Sequence, residues 1–193
     1  MKSHVINKKD FADLCKYVEK YDSDREVMIK QTRNVLKLSK QIINAVNRGQ
    51  AAKALVDKMK ETLAKVNKIG NHKLFSEGFY RVAVQEYVEA VCYYHLEKNG
   101  RLPTSKELNV DPEHYLLGVC DLSGEMVRKA VNLAIKGKYS EVVRIKDFVD
   151  SLYFQLSKFD FRNSDLRKKY DAVRWDLKRI EDLVLELKMR GIV

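Results

Sequence analysis

The sequence predicts an all-α protein, a bundle of about six to seven helices folded as a single domain over residues 1–193. Prolines and glycines are scarce, 2 and 8 in 193 residues, so the breaks they impose lie far apart. Between those breaks apolar residues recur at spacings of three and four, the period of one helix face. The many closely spaced turns that a multi-strand sheet needs do not occur.

The elements follow in order. Residues 10–48 form the first helix, with Val27, Val35, Leu38, Ile42 and Val46 approximating one stripe. Arg25, Lys30, Arg33, Lys37 and Lys40 lie largely off that stripe, and Gly49 marks the stop. A second helix, 51–68, ends at Gly70 as a C-terminal cap. A third runs over 74–98 and stops at Asn99-Gly100. The stretch "RLPTSKELNVDP" is the clearest loop, with both prolines and with Thr104 or Ser105 to cap a short helical turn. The fourth helix is 114–135, and a shorter fifth covers 139–158. In the last, 164–190, Leu166, Tyr170, Val173, Leu177, Ile180, Val184 and Leu187 alternate spacings of four and three without a miss. That repeat belongs to a helix lying along another helix, either within the chain or in a second subunit.

Composition excludes several classes. No apolar run approaches the about 20 residues that span a bilayer. The N-terminus "MKSHVINKKDFADL" lacks the apolar centre of a signal peptide, so the expected location is the cytoplasm. Cys15, Cys92 and Cys120 are odd in number, widely spaced and free of Cys-x-x-Cys pairing, and read as reduced core residues. A net charge of +10 favours a polyanionic partner. Gly-rich phosphate loops, Gly-x-Ser-x-Gly elbows and His-Glu-x-x-His zinc motifs are absent from the sequence.

The chemistry concentrates in two helices. In "HYLLGVCDLSGEMVRKAVNLAI" a mostly apolar helix carries Asp121 and Glu125 four residues apart, where two ionised acids repel by a few tenths of a kcal/mol. On a helical wheel Leu117, Cys120, Val127, Ala130, Val131 and Ala134 take one broad side, which Val119, Leu122, Met126 and Leu133 continue. Asp121, Glu125, Arg128 and Asn132 share a narrow polar wedge. Taken alone, that wedge reads as a solvated strip. The third helix alters the balance, because Glu86 and Glu89 in "RVAVQEYVEAVCYYHLE" share their stripe with Val82 and Tyr93. Partly buried carboxylates need protons, cationic partners or metal. Two acid pairs on two helices can converge on a hard divalent cation, Mg²⁺ or Mn²⁺. A redox di-metal site is disfavoured: no Glu-x-x-His is present, and His4, His72, His95 and His114 complete no such motif. Arg81 and Arg128 stand near the acids as salt-bridge partners or phosphate contacts.

At these same residues a family resemblance enters. "QEYVEAV" and "YLLGVCDLSGEMVRKAVN" closely resemble the catalytic, factor-X type of the translin family, and "NSDLRKKYDAVRWDLKRIEDLVLELKMRG" resembles the C-terminal helix of the translin type. Lys30, Arg33 and "SKQI" in the first helix are a weaker match. The resemblance implies a translin-like bundle of about seven helices whose subunits close into an octameric shell. It further implies an Mg²⁺-dependent endoribonuclease acting on single-stranded RNA, with single-stranded DNA as a further ligand. Glu86, Glu89 and Asp121 match the catalytic, metal-binding acids of that type, and Glu125 matches a fourth. A short loop around Pro103 and a translin-like last helix point to a single-gene, homo-oligomeric version. Lys30, Arg33, Lys37, Arg81, Arg167, Lys168 and Lys169 are the expected RNA-backbone contacts. The competing expectations are a non-catalytic translin-type oligomer that binds single strands, and a structural bundle whose acids pair with Arg81 and Arg128.

Overall fold

The computed structural model describes residues 6–162 and 164–192; His4 and Asn163 lie outside them. It is all-α, with helices α1 (Lys8–Asn47), α2 (Lys53–Ile69), α3 (His72–Phe75), α4 (Gly78–Asn99), α5 (Ser105–Leu108), α6 (Pro112–Ile135), α7 (Tyr139–Leu156) and α8 (Asp165–Met189). Two of the eight are single turns, so six long helices build the body. α4 and α6 pack together at its centre; α1 covers α4, with α2 packed on α1, and α7 and α8 cover α6.

Local chemistry sets the boundaries. Asn7 and Ser164 accept backbone N–H groups at the starts of α1 and α8. Thr104 and Glu107 form a reciprocal capping box on α5, and Asp111 caps α6 with Pro112 in its first turn. The expected third helix is divided: Asn71 caps the short α3, the backbone extends at Glu77, and α4 restarts at Gly78. α4 then ends on Gly100 at φ 68°, a left-handed cap that glycine adopts without steric cost.

The regular stripe of α8 is an intramolecular seam. Val173, Leu177, Ile180, Val184 and Leu187 are all buried against α6 and α7. Three expectations from pattern alone are corrected. Val27 and Val131 are exposed, 43% and 44%, because each faces a side of its helix that no neighbouring helix of the chain covers. Cys15 is exposed while Cys92 and Cys120 are buried. The first turns of α1 carry no buried residue before Met28, so Cys15 has no core to enter.

Gly118 decides how closely the two central helices approach. A Cβ there would stand 2.6 Å from the Gln85 carbonyl oxygen and 2.6 Å from Val88 Cβ. Both are backbone or branch-point atoms that cannot swing aside. Gly118→Ala is therefore expected to lower stability by about 1–3 kcal/mol as α6 is pushed off α4. Chemical denaturation measures it, and a variant as stable as the parent would show that the contact yields freely.

Candidate active site

Glu86 and Glu89 project from α4, and Asp121 and Glu125 from α6, all four neither fully buried nor freely solvated. Between Glu86 and Glu89 on the stripe, Tyr93 is fully buried but Val82 is 45% exposed, so the acids border solvent on the Val82 side. Three of the four acids are held by other side chains. The Ser39 hydroxyl of α1, itself fully buried, donates to Glu86 Oε2 at 2.8 Å. Lys169 of α8 donates to both Asp121 oxygens, at 2.5 and 2.6 Å. Glu125 Oε2 lies 3.5 Å from Arg128 and 3.5 Å from Asn47 Nδ2. Asn47 is in turn fixed by the Tyr93 hydroxyl, which donates to Asn47 Oδ1 at 2.5 Å.

Glu89 is the acid under most electrostatic stress. Burial raises its pKa, and the charges of Glu86, Asp121 and Glu125 raise it further, to about 8, against a smaller opposing pull from Lys169. The effect requires all four carboxylates and the ammonium to share one field. Four helices thus meet in one polar centre: α4 and α6 supply acids, α1 supplies Ser39 and Asn47, and α8 supplies Lys169.

The donor set suits a hard divalent cation. It is all oxygen and acidic, and Glu89 holds its charge at neutral pH only if a cation offsets its neighbours. As placed, no three of the described Asp, Glu, His or Cys side chains converge closely enough to share a metal ion. Lys169 on Asp121 and Arg128 on Glu125 are the cations the acids hold in this arrangement. Coordination would need Asp121 to exchange that ammonium for the metal.

The basic residues fall into groups. Arg81, Lys168 and Lys169 line one cleft of about 300 Å³ with Val82, Gln85 and Asp165, beside Glu86. Arg81 pairs with Glu113 at 3.4 Å, not with the acid cluster, so of the two arginines only Arg128 is a partner of these acids. Lys168 pairs with Asp165 at 3.3 Å. Lys30 and Arg33 line a separate, shallow groove of about 510 Å³ along α1, and Lys37 is exposed further along the same helix. Arg167 pairs with Asp171 at 3.2 Å and stands over the Tyr170 ring.

Sequence reasoning missed Ser39, Asn47 and the Tyr93 hydroxyl as partners of the acids. Ser39 left a trace: it lies inside "SKQI", a polar residue between Leu38 and Ile42 on the buried side of α1. Tyr93 was legible on the acids' own stripe, but as an apolar ring and not as a hydroxyl donor, and Asn47 left no trace. Among the described residues no helix is long and apolar enough to cross a membrane.

Comparison with known proteins fits this architecture. The chain is 29% identical over 186 residues to an uncharacterized protein of Methanocaldococcus jannaschii, covering 92% of this chain and 84% of that one. It is 25% identical over 215 residues to translin-associated protein X of Pongo abelii, covering 86% of this chain and 73% of that protein. Translin of Gallus gallus is 39% identical over 84 residues, which span 44% of this chain and only 37% of that protein. Among solved structures, apo-NeC3PO superposes with a TM-score of 0.85 at 26% identity, covering 91% of this chain and 95% of that one. AfC3PO, solved as a complex with duplex RNA, gives 0.83 at 25% identity, covering 94% and 97%. The translin family model matches residues 23–191, and the chain belongs to the translin family.

Proposed function

We propose that this protein is a divalent-metal-dependent endoribonuclease that hydrolyses phosphodiester bonds of single-stranded RNA, with Glu86, Glu89, Asp121 and Glu125 as its acid set. The observation that carries the reading is Glu89, a carboxyl raised to about 8 by burial and three neighbouring acids. A purely structural centre has no reason to accumulate that repulsion. Similarity to a translin-associated protein X and to a C3PO solved with duplex RNA supports RNA as the substrate class. The net charge of +10 supports a polyanionic partner, and the family resemblance supports a homo-oligomer of eight subunits.

Bound Mg²⁺ or Mn²⁺ would supply an activated water and stabilise charge developing on the phosphate. The chain's own residues do the rest. Ser39 fixes the Glu86 carboxylate, and Tyr93 through Asn47 steadies Glu125, the acid we assign to orienting the attacking water. Arg81 and Lys168 hold flanking phosphates in the adjoining cleft. Lys30, Arg33 and Lys37 supply a second basic surface along α1, and Arg167 adds a cation at the start of α8. Contacts of this kind make binding salt-dependent and tolerant of sequence.

One observation favours a second reading, a non-catalytic oligomer that binds single-stranded RNA or DNA. Lys169 already neutralises Asp121, so the centre can stand without metal. The deciding experiment incubates the protein with an end-labelled RNA, single-stranded and as a duplex, in Mg²⁺, Mn²⁺ or EDTA. Cleavage of the single strand in either metal and none in EDTA is the expected result. Binding without cleavage in both metals would establish the second reading instead.

A further inference from the structure

From the end of α7 through the turn into α8 runs an aromatic series that the acid centre does not use. Tyr153 and Tyr170 stack with ring centroids 5.3 Å apart and 5° between planes. Phe161 leans on Tyr170 at 5.5 Å, and Phe159 stacks on Phe161 at 5.4 Å and 12°. The series runs outward from the α7–α8 seam. Tyr153, Tyr170 and Phe161 are partly buried, whereas Phe159 is 51% exposed.

Packing explains the inner rings but not the outer one. Phe159 has one face against Phe161 and half its surface in water, where an apolar ring gains nothing for the fold. Cations flank the series. The Arg167 guanidinium lies 5.6 Å from the Tyr170 ring centre, and the Lys158 ammonium lies 4.8 Å from that of Phe154, which is 60% exposed. On α8, Tyr170 directly follows Lys169, the residue that holds Asp121.

Exposed rings interleaved with cations are what an unpaired nucleic-acid strand requires: stacking for its bases and positive charge for its phosphates. A duplex keeps its bases stacked on each other and offers no free base face to such a ring. An interface between copies of this chain would bury its aromatic residues at the centre with lysine depleted around them. Here the cations lie over ring faces.

We propose that Phe159, backed by Phe161 and Tyr170, is a stacking platform for an unpaired base of a single-stranded RNA whose phosphates meet the flanking Lys158 and Arg167. The inference deepens the nuclease reading by naming what selects an unpaired strand, and it rests on that reading for its ligand class. It needs no metal, so its test separates from that of catalysis.

The test measures binding of a labelled single-stranded RNA and of the corresponding duplex in EDTA, by fluorescence anisotropy, for the parent protein, Phe159→Ala and Phe159→Trp. Light scattering follows the mass of the assembly. Phe159→Ala is expected to weaken single-strand binding roughly five- to a hundredfold, the range for loss of one base–aromatic stack, with duplex binding and mass unchanged. Phe159→Trp, which keeps a stacking face, restores it. Equal weakening for both RNA forms, no weakening, a change in mass, or no binding of single strands by the parent would each overturn the platform. A protein that cuts no RNA yet shows the strand-selective loss keeps the platform and loses the nuclease reading. One that cuts RNA without that loss does the reverse.

Discussion

Glu89→Gln is expected to abolish metal-dependent RNA cleavage and, at the same time, to stabilise the metal-free protein at alkaline pH. The two effects have one cause. Folding places Glu89 in a buried field of three other carboxylates and raises its pKa from 4.5 to about 8. Between those values the folded chain holds a proton that the unfolded chain has released. That proton's contribution to stability is fully present below about pH 4.5 and is lost as pH rises through 8. Gln imitates the protonated carboxyl in shape and charge but cannot ionise, so the variant lacks this part of the pH dependence. Melting temperatures in EDTA at pH 5 and pH 9 measure it: the parent falls between them by more than the variant. Cleavage moves the other way, by on the order of a thousandfold or more, since an amide is a poor ligand for a hard cation and loss of metal costs several kcal/mol of transition-state stabilisation. The same field predicts proton release on metal binding, with affinity rising as pH approaches 8. Parallel melting curves for parent and variant would mean that the four acids do not share a field. Undiminished cleavage would remove Glu89 from the acid set.

What the sequence disclosed and what it withheld divide along one physical line. Periodicity is local, so anything that one helix decides for itself was legible. The α8 stripe, the paired acids of α4 and α6 and the Thr104 cap are all patterns within a few turns of chain. Their partners are not. Ser39 meets Glu86 from 47 positions away, Asn47 meets Glu125 from 78, and Lys169 meets Asp121 from 48. A serine, an asparagine or a lysine on a helix carries no mark of which distant side chain it will face. Lys169 was legible as a basic residue near a helix start, and only the packing of α8 on α6 shows that it serves an acid. The same limit explains Cys15 and Val27. Each looks apolar in its own helix, but burial depends on whether another helix reaches that far.

Lys169 is where the second large effect is expected, and it separates the two readings of the acid centre. The ammonium touches both Asp121 oxygens, and about a third or less of each side chain is exposed, 29% and 31%. Lys169→Met keeps most of the aliphatic stem and removes the charge. In EDTA the variant loses the counter-ion of Asp121 and should melt lower, by the equivalent of about 1 kcal/mol for a partly screened pair. It also loses the one cation that draws the Glu89 pKa down, so that carboxyl rises further. If metal must take the place of Lys169 on Asp121, Mn²⁺ then meets a more negative centre with no competing ammonium, and its affinity should rise by roughly tenfold, about 1.4 kcal/mol. Mn²⁺ should therefore raise the variant's melting temperature more than the parent's, reversing the order found in EDTA. Single-strand RNA binding should weaken in the same variant, with its salt dependence reduced by about one phosphate contact, because the ammonium borders the cleft beside Arg81 and Lys168. Titration calorimetry with Mn²⁺ and anisotropy with RNA read the two sides independently. A fall in Mn²⁺ affinity would show that Lys169 is a strut holding Asp121 in place. Its ammonium and the metal would then not compete for one position, and the centre would be built chiefly for support. Tighter metal with weaker RNA is the signature of a lysine that yields its carboxylate to the cation and turns to the substrate phosphate.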